Sequence, residues 1–164
     1  MPLRFKNRKE HEDAPQEAAA AGEAALIENG LLASWYMDRR LLEEAERAQR
    51  YGRQLTLLQA APLLLPGEAA GAELLKAGIS AARRIARTTD LLGWGSPSSL
   101  LIIMPETDMK GAEAAASRWQ SDLYLKTHVA GARKWRVSAI DATQYQNAAD
   151  IIRGLRASSE EAAA

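Results

Sequence analysis

The chain has 164 residues, 21 Lys and Arg against 21 Asp and Glu, and no Cys. Disulfide and thiol chemistry are therefore excluded, and zero net charge argues against bulk DNA or RNA binding, which draws on a basic face. No apolar run approaches the about 20 residues of a membrane span, and no secretory signal opens the chain, so the expected location is cytoplasmic.

Residues 1–25 pass from mixed charge to an Ala/Glu stretch with almost no large apolar side chain. Such a segment buries too little surface to offset its ordering entropy, and it reads as a disordered arm. Arg4, Lys6, Arg8 and Lys9 on it are either a docking patch or part of a solvated tail. The folded domain is expected over 26–158, with a frayed tail over 159–164.

Residues 31–51 predict a helix with Trp35, Leu41, Leu42, Ala45 and Ala48 near one stripe, closed by Gly52. Residues 55–60, LTLLQA, predict a strand buried on at least one face. Residues 61–67 carry Pro62, Pro66 and Gly67 and read as a connection. A second helix is expected over 68–87, with Leu74, Leu75, Ile79, Ala82 and Ile85 on its apolar side. Gly71 and Gly78 weaken it unless they admit a close neighbour. Lys76, Arg83, Arg84 and Arg87 crowd its C-terminal half, where cations suit the helix dipole.

Two apolar runs, LLGW and LLIIMP, flank Gly95-Ser96-Pro97-Ser98-Ser99 and predict a hairpin. Its tip offers hydroxyls but no acid, base or metal ligand. Thr107-Asp108 is placed to cap a third helix over 109–126, buried through Ala112, Ala115, Ala116, Trp119 and Leu123. His128 follows it as a solvated loop residue. Trp135, Val137 and Ala139 alternate as one face of a last strand over 134–142, and residues 147–157 predict a final helix.

Without its outer helices the order is βαββαβ, the ferredoxin-like split arrangement: a four-stranded antiparallel sheet with helices on one face, in the α/β (α+β) class. No phosphate loop or dinucleotide turn is present, and no Ser has an identifiable base. His11 and His128 lack partners at zinc spacing, and no cofactor is implied.

From about residue 30 to residue 156 the chain resembles the GGDEF domain of diguanylate cyclases, which make cyclic di-GMP from GTP. The helix end Arg47-Ala48-Gln49-Arg50-Tyr51-Gly52 is similar to the family's "RARRYG". Met104-Pro105-Glu106-Thr107-Asp108 is similar to its "LPETD", and Val137-Ser138-Ala139-Ile140 stands where the family has "VSIG". Aligned without gaps over 90–105, the signature itself falls on Ser96-Pro97-Ser98-Ser99-Leu100, without its glycines and acids. The metal-binding strand end is Gln59-Ala60-Ala61-Pro62, and the GTP-contacting "FKxxND" is replaced by a shorter Leu63-Leu64-Leu65-Pro66-Gly67. The departures imply a degenerate domain without cyclase activity, because two-metal phosphoryl transfer needs carboxylate ligands.

The resemblance also implies a retained inhibitory-type cyclic di-GMP site, Arg-x-x-Asp. Arg87-Thr88-Thr89-Asp90 is followed by five residues, LLGWG, before Ser96, which is the family spacing. The same ungapped count places Arg118 where the family has a second site arginine. A guanidinium can donate two parallel bonds to guanine O6 and N7 or to phosphate, and a carboxylate can accept from guanine N1–H and N2–H. By itself, an Arg87–Asp90 surface pair is worth only ~0–1 kcal/mol. The expected partner is cyclic di-GMP, with a protein partner or a ligand-bridged homodimer as the output. The alternative is a nucleotide-independent interaction domain that docks through the apolar loop at Pro62-Leu63-Leu64-Leu65-Pro66.

Overall fold

The computed structural model describes residues 27–28, 30–95, 99–129 and 135–163, with side chains described over 30–95, 99–125 and 135–157. The arm over 1–25, the hairpin centre Ser96-Pro97-Ser98 and the His128 side chain lie outside the described residues.

The strand β3 (Leu55–Pro62) sets the layout, because all eight of its residues are buried. Leu58 and Ala60 enter one apolar cluster, while Leu55 and Leu57 enter another. A strand with large apolar side chains on both faces needs cover on both. The hairpin of β4 (Leu91–Gly95) and β5 (Ser99–Pro105) lies on one side of β3 and β6 (Trp135–Asp141) on the other, all antiparallel. This is the expected split βαββαβ core.

The sheet is larger than four strands. The short β1 (Ile27–Glu28) and β2 (Leu31–Leu32) extend it to six, in the order β1-β2-β4-β5-β3-β6, and β2 runs parallel to β4. Gly30, at φ 77°, turns the chain between them, and Arg83 Nη2 donates to its carbonyl at 2.9 Å. Leu31 and Leu32 are thus strand, not helix.

The two helices of the βαββαβ core lie on one face of the sheet, as expected, and the two outer helices cover the other. On one side α2 (Ala72–Ile85) and α3 (Met109–Val129) pack Ala81, Ala82, Ala112, Ala115, Trp119 and Leu123 on the sheet. On the other, α1 (Ser34–Tyr51) and α4 (Ala148–Ala163) contribute Met37, Leu41, Ala48, Ile151 and Leu155. The outer helices cover the face made by Leu57, Leu101 and Ile103.

Local details shift in physically simple ways. The buried stripe of α1 is Met37, Leu41, Glu44 and Ala48, while Trp35 and Leu42 are exposed. Gly52, at φ 61°, closes α1 as expected. Ala61 and Pro62 belong to β3 after all. Their pairing is with β6 alone, since the ladder to β5 ends at Ala60↔Leu100, so the proline sits where one ladder edge is free. The second helix is shorter than expected. Gly71 caps it from outside, Ala86 is extended, and Arg87 lies beyond its end. Asp108 Oδ1 accepts from Gly111 N at 2.7 Å, the expected cap of α3. The last helix continues past residue 157 to Ala163. No described helix is long and apolar enough to cross a membrane.

Candidate ligand site

Between the end of α2 and the start of β4, residues 87–90 form a tight turn. The Asp90 N–H donates to the Arg87 carbonyl at 3.1 Å. The Arg87 N–H donates to Asp90 Oδ2 at 2.8 Å. The carboxylate therefore folds back on its own turn, and its side chain is fully buried although the Arg87 side chain is half exposed. Asp90 Oδ1 is buried and has no hydrogen-bond partner among the described residues. The guanidinium stands 3.6 Å from Asp90 Oδ2 through Nε, while its Nη2 donates to Thr107 Oγ1 at 2.9 Å. Thr107 is buried and donates in turn to the Pro105 carbonyl at 3.1 Å. Sequence reading used Thr107 only as a helix cap, and only tertiary structure brings it to Arg87.

Arg118 is exposed on α3, and among the described residues no hydrogen bond or ion pair joins it to Arg87 or Asp90. It stands one turn before Asp122, which accepts from Arg84 Nε at 3.2 Å. That pair ties α3 to the end of α2, three residues ahead of Arg87. The structure thus brings Arg87 and Asp90 together, while Arg118 stands on the adjoining helix with no ion pair among the described residues.

The base of the hairpin tip is closed by neutral groups. Gly95 pairs with Ser99, and Ser99 is fully buried. The buried Gln59 amide donates to Ser99 Oγ at 3.2 Å and to the Leu155 carbonyl at 3.1 Å. One side chain from β3 thus fastens both the hairpin and α4. Trp94 is 8% exposed and lies in the cluster beneath α2 and α3, so it fills the core. Among the described residues, no three His, Cys, Asp or Glu side chains come together as a metal site. In the loop after β3, Leu63 and Leu64 are half-buried and Leu65 is exposed.

No family model matches the sequence, and no curated protein matches it. Solved structures do. The diguanylate cyclase SiaD of Pseudomonas aeruginosa, in complex with its activator SiaC, superposes with a TM-score of 0.69 at 19% identity over 93% of this chain. This chain spans only 63% of that one. The coiled coil and GGDEF domain of DgcB from Caulobacter crescentus, in complex with c-di-GMP, gives 0.69 at 12% identity, covering 93% of this chain and 90% of that one. The active GGEEF domain of a diguanylate cyclase from Vibrio cholerae gives 0.62 at 14% identity, over 80% and 90% of the two chains. The fold of this protein is that of GGDEF domains.

Proposed function

We propose that this chain is a GGDEF-fold module that does not make cyclic di-GMP and instead binds it, through Arg87, Asp90 and Arg118. The observation that carries the reading is the Arg87–Asp90 turn. One carboxylate oxygen is fixed by a backbone N–H and the other has no partner among the described residues. Buried polar atoms are normally satisfied, so a lone acceptor beside a guanidinium suits a ligand that brings donors. Guanine offers N1–H and N2–H to the carboxylate and O6 and N7 to the arginine fork. Arg118 adds charge or stacking from α3. Ligand entry requires the turn to open enough to uncover Asp90.

The inactive half of the reading rests on the other end of the sheet. Magnesium takes oxygen ligands, chiefly carboxylates and phosphates. Here Gln59 holds Ser99 and Leu155, and Ala60, Ala61 and Pro62 follow it. One further observation favours the docking alternative: Leu65 is 64% exposed in its loop. Only that one leucine of the three is open, which leaves a small patch.

Calorimetric titration with cyclic di-GMP decides between them. The sensor reading expects a Kd below about 100 μM, equivalent to ~5.5 kcal/mol. It also expects Arg118→Ala to weaken binding about tenfold, since a lost charge-assisted bond is worth ~1.5–3 kcal/mol. No binding in that range ends the sensor reading. Binding that ignores Arg118→Ala removes Arg118 from the site.

A further inference from the structure

Arg87 also lines a cleft on the α1 side. The cleft, of 500 Å³, lies between α1 and the ends of β3 and β5, and Arg40, Arg47, Arg53 and Arg87 all line it. Two carboxylates line it with them, Glu44 and Glu106. Glu44 is the organiser. Its side chain is 6% exposed, and Arg40 Nη2 and Arg47 Nη1 both stand 3.0 Å from its Oε1. Glu106 holds Arg53 in an ion pair, and Thr107 turns Arg87. Of the other nearby acids, Glu43 is shared between Arg39 and Arg40, and Asp90 faces its own turn.

A guanidinium carries five N–H donors; Arg47, Arg53 and Arg87 spend only one or two each, while Arg40 is shared among Glu43, Glu44 and Tyr36. The cleft is therefore rich in fixed, unspent donors and has an excess of cations in its lining. A buried counter-charge is what lets guanidinium groups converge without unfolding the helix. Forks arriving from α1, from the connection between α1 and β3, and from the turn before β4 suit a tetrahedral oxyanion better than a flat carboxylate.

The geometry points to an anion site in this cleft, for a phosphate-bearing ligand of about diphosphate size, read by Arg40, Arg47, Arg53 and Arg87 on the Glu44 scaffold. It goes beyond the dinucleotide reading and does not depend on it. Arg87 belongs to both places. An anion that fixes Arg87 on the α1 side withdraws it from Asp90, so the two ligands antagonise each other by linkage.

Inorganic pyrophosphate is the probe, titrated into the full chain by calorimetry with arginine Nε–H resonances followed by NMR. The expected result is saturable binding that weakens with salt, with shifted Nε–H signals. Arg47→Ala, at a half-exposed position that leaves the core intact, is expected to weaken binding about tenfold. Glu44→Gln is expected to weaken it while circular dichroism reports the fold. Arg118→Ala is expected to leave pyrophosphate binding unchanged. Absence of saturable binding overturns the inference, as does binding that Arg47→Ala leaves intact. Loss with Arg118→Ala overturns it too, by placing the anion at the other surface. A failed cyclic di-GMP titration leaves all of these outcomes readable.

Discussion

The Arg87 N–H donates to the Asp90 carboxylate at 2.8 Å while the Arg87 guanidinium reaches away to Thr107. Backbone and side chain of one residue thus serve different partners. One carboxylate oxygen is held by the backbone and the other is buried without a partner among the described residues, and Asp90→Asn separates the two. Asparagine keeps an oxygen for the Arg87 N–H but puts an NH₂ where Oδ1 lies. Stability is expected to stay within ~1 kcal/mol of the parent, the scale of one net hydrogen bond. Cyclic di-GMP affinity is expected to fall at least tenfold, because an amide donor then faces the guanine donors. Thermal unfolding and calorimetry on the same variant check both. Undiminished affinity would remove Asp90 from the ligand site.

Much of this fold was legible in the chain. Alternation in 134–142 put Trp135, Val137 and Ala139 on one face, and all three pack in one cluster. The stripe Ala112, Ala115, Trp119 and Leu123 was equally readable. The misses share a cause: competition between local pattern and tertiary contact. Leu31 and Leu32 read as the start of a helix, but pairing with Gly93 claims them for the sheet. Trp35 and Leu42 looked like core by residue type, yet the neighbouring layer meets Met37 and Leu41 instead. Pro62 argued for a loop until its ladder partner was known on one side only. At the site, the Arg87–Asp90 spacing was visible in sequence. The Thr107 contact spans 20 residues and the Glu44 scaffold hides in an ordinary i,i+3 and i,i+4 charge pattern.

Two glycines should differ in what an added methyl group costs. At Gly93 a Cβ would stand 2.4 Å from Met37 Cγ and 2.7 Å from the Leu32 carbonyl. Met37 can yield, but the carbonyl belongs to the β2–β4 pairing and cannot. At Gly78 the clash is with the Trp135 ring at 2.5 Å, inside the core beneath α2. Overpacking costs ~1–3 kcal/mol or more. Alanine at position 78 recovers ~1 kcal/mol of helix propensity, which a strand position does not. Denaturant unfolding is expected to rank the parent first, Gly78→Ala second and Gly93→Ala last. The reverse order for the variants would mean that β2 is expendable.

Asp38 gives the domain a small pH dependence of predictable sign. Partial burial pushes its carboxyl above the ordinary 3.8, and the Arg156 guanidinium at 3.4 Å opposes without cancelling. In the window above 3.8 the folded chain holds a proton that the unfolded chain has released. Stability from this group therefore rises as pH falls through that window and declines as pH rises. Asp38→Asn removes the titration, so its stability should change less with pH over that window than the parent's. Unfolding midpoints at a series of pH values test this. A parallel pair of curves would show that Asp38 does not titrate differently in the folded state.

Incubation with GTP and magnesium is expected to yield no cyclic di-GMP. Phosphoryl transfer of this type depends on metal ions that bridge phosphate oxygens and are held by protein carboxylates. The strand end offers Gln59, whose amide is committed to Ser99 and Leu155, followed by two alanines and a proline. Restoring one acid does not repair this. Gln59→Asp would place a carboxylate where the parent donates two hydrogen bonds, opposite acceptor oxygens, with a penalty of ~1–3 kcal/mol or more for the unpaired group. The variant is expected to be less stable and as inactive as the parent. Chromatography of the nucleotide products decides the point, and steady turnover by the parent chain would overturn the inactive reading while leaving the Arg87–Asp90 binding test in force.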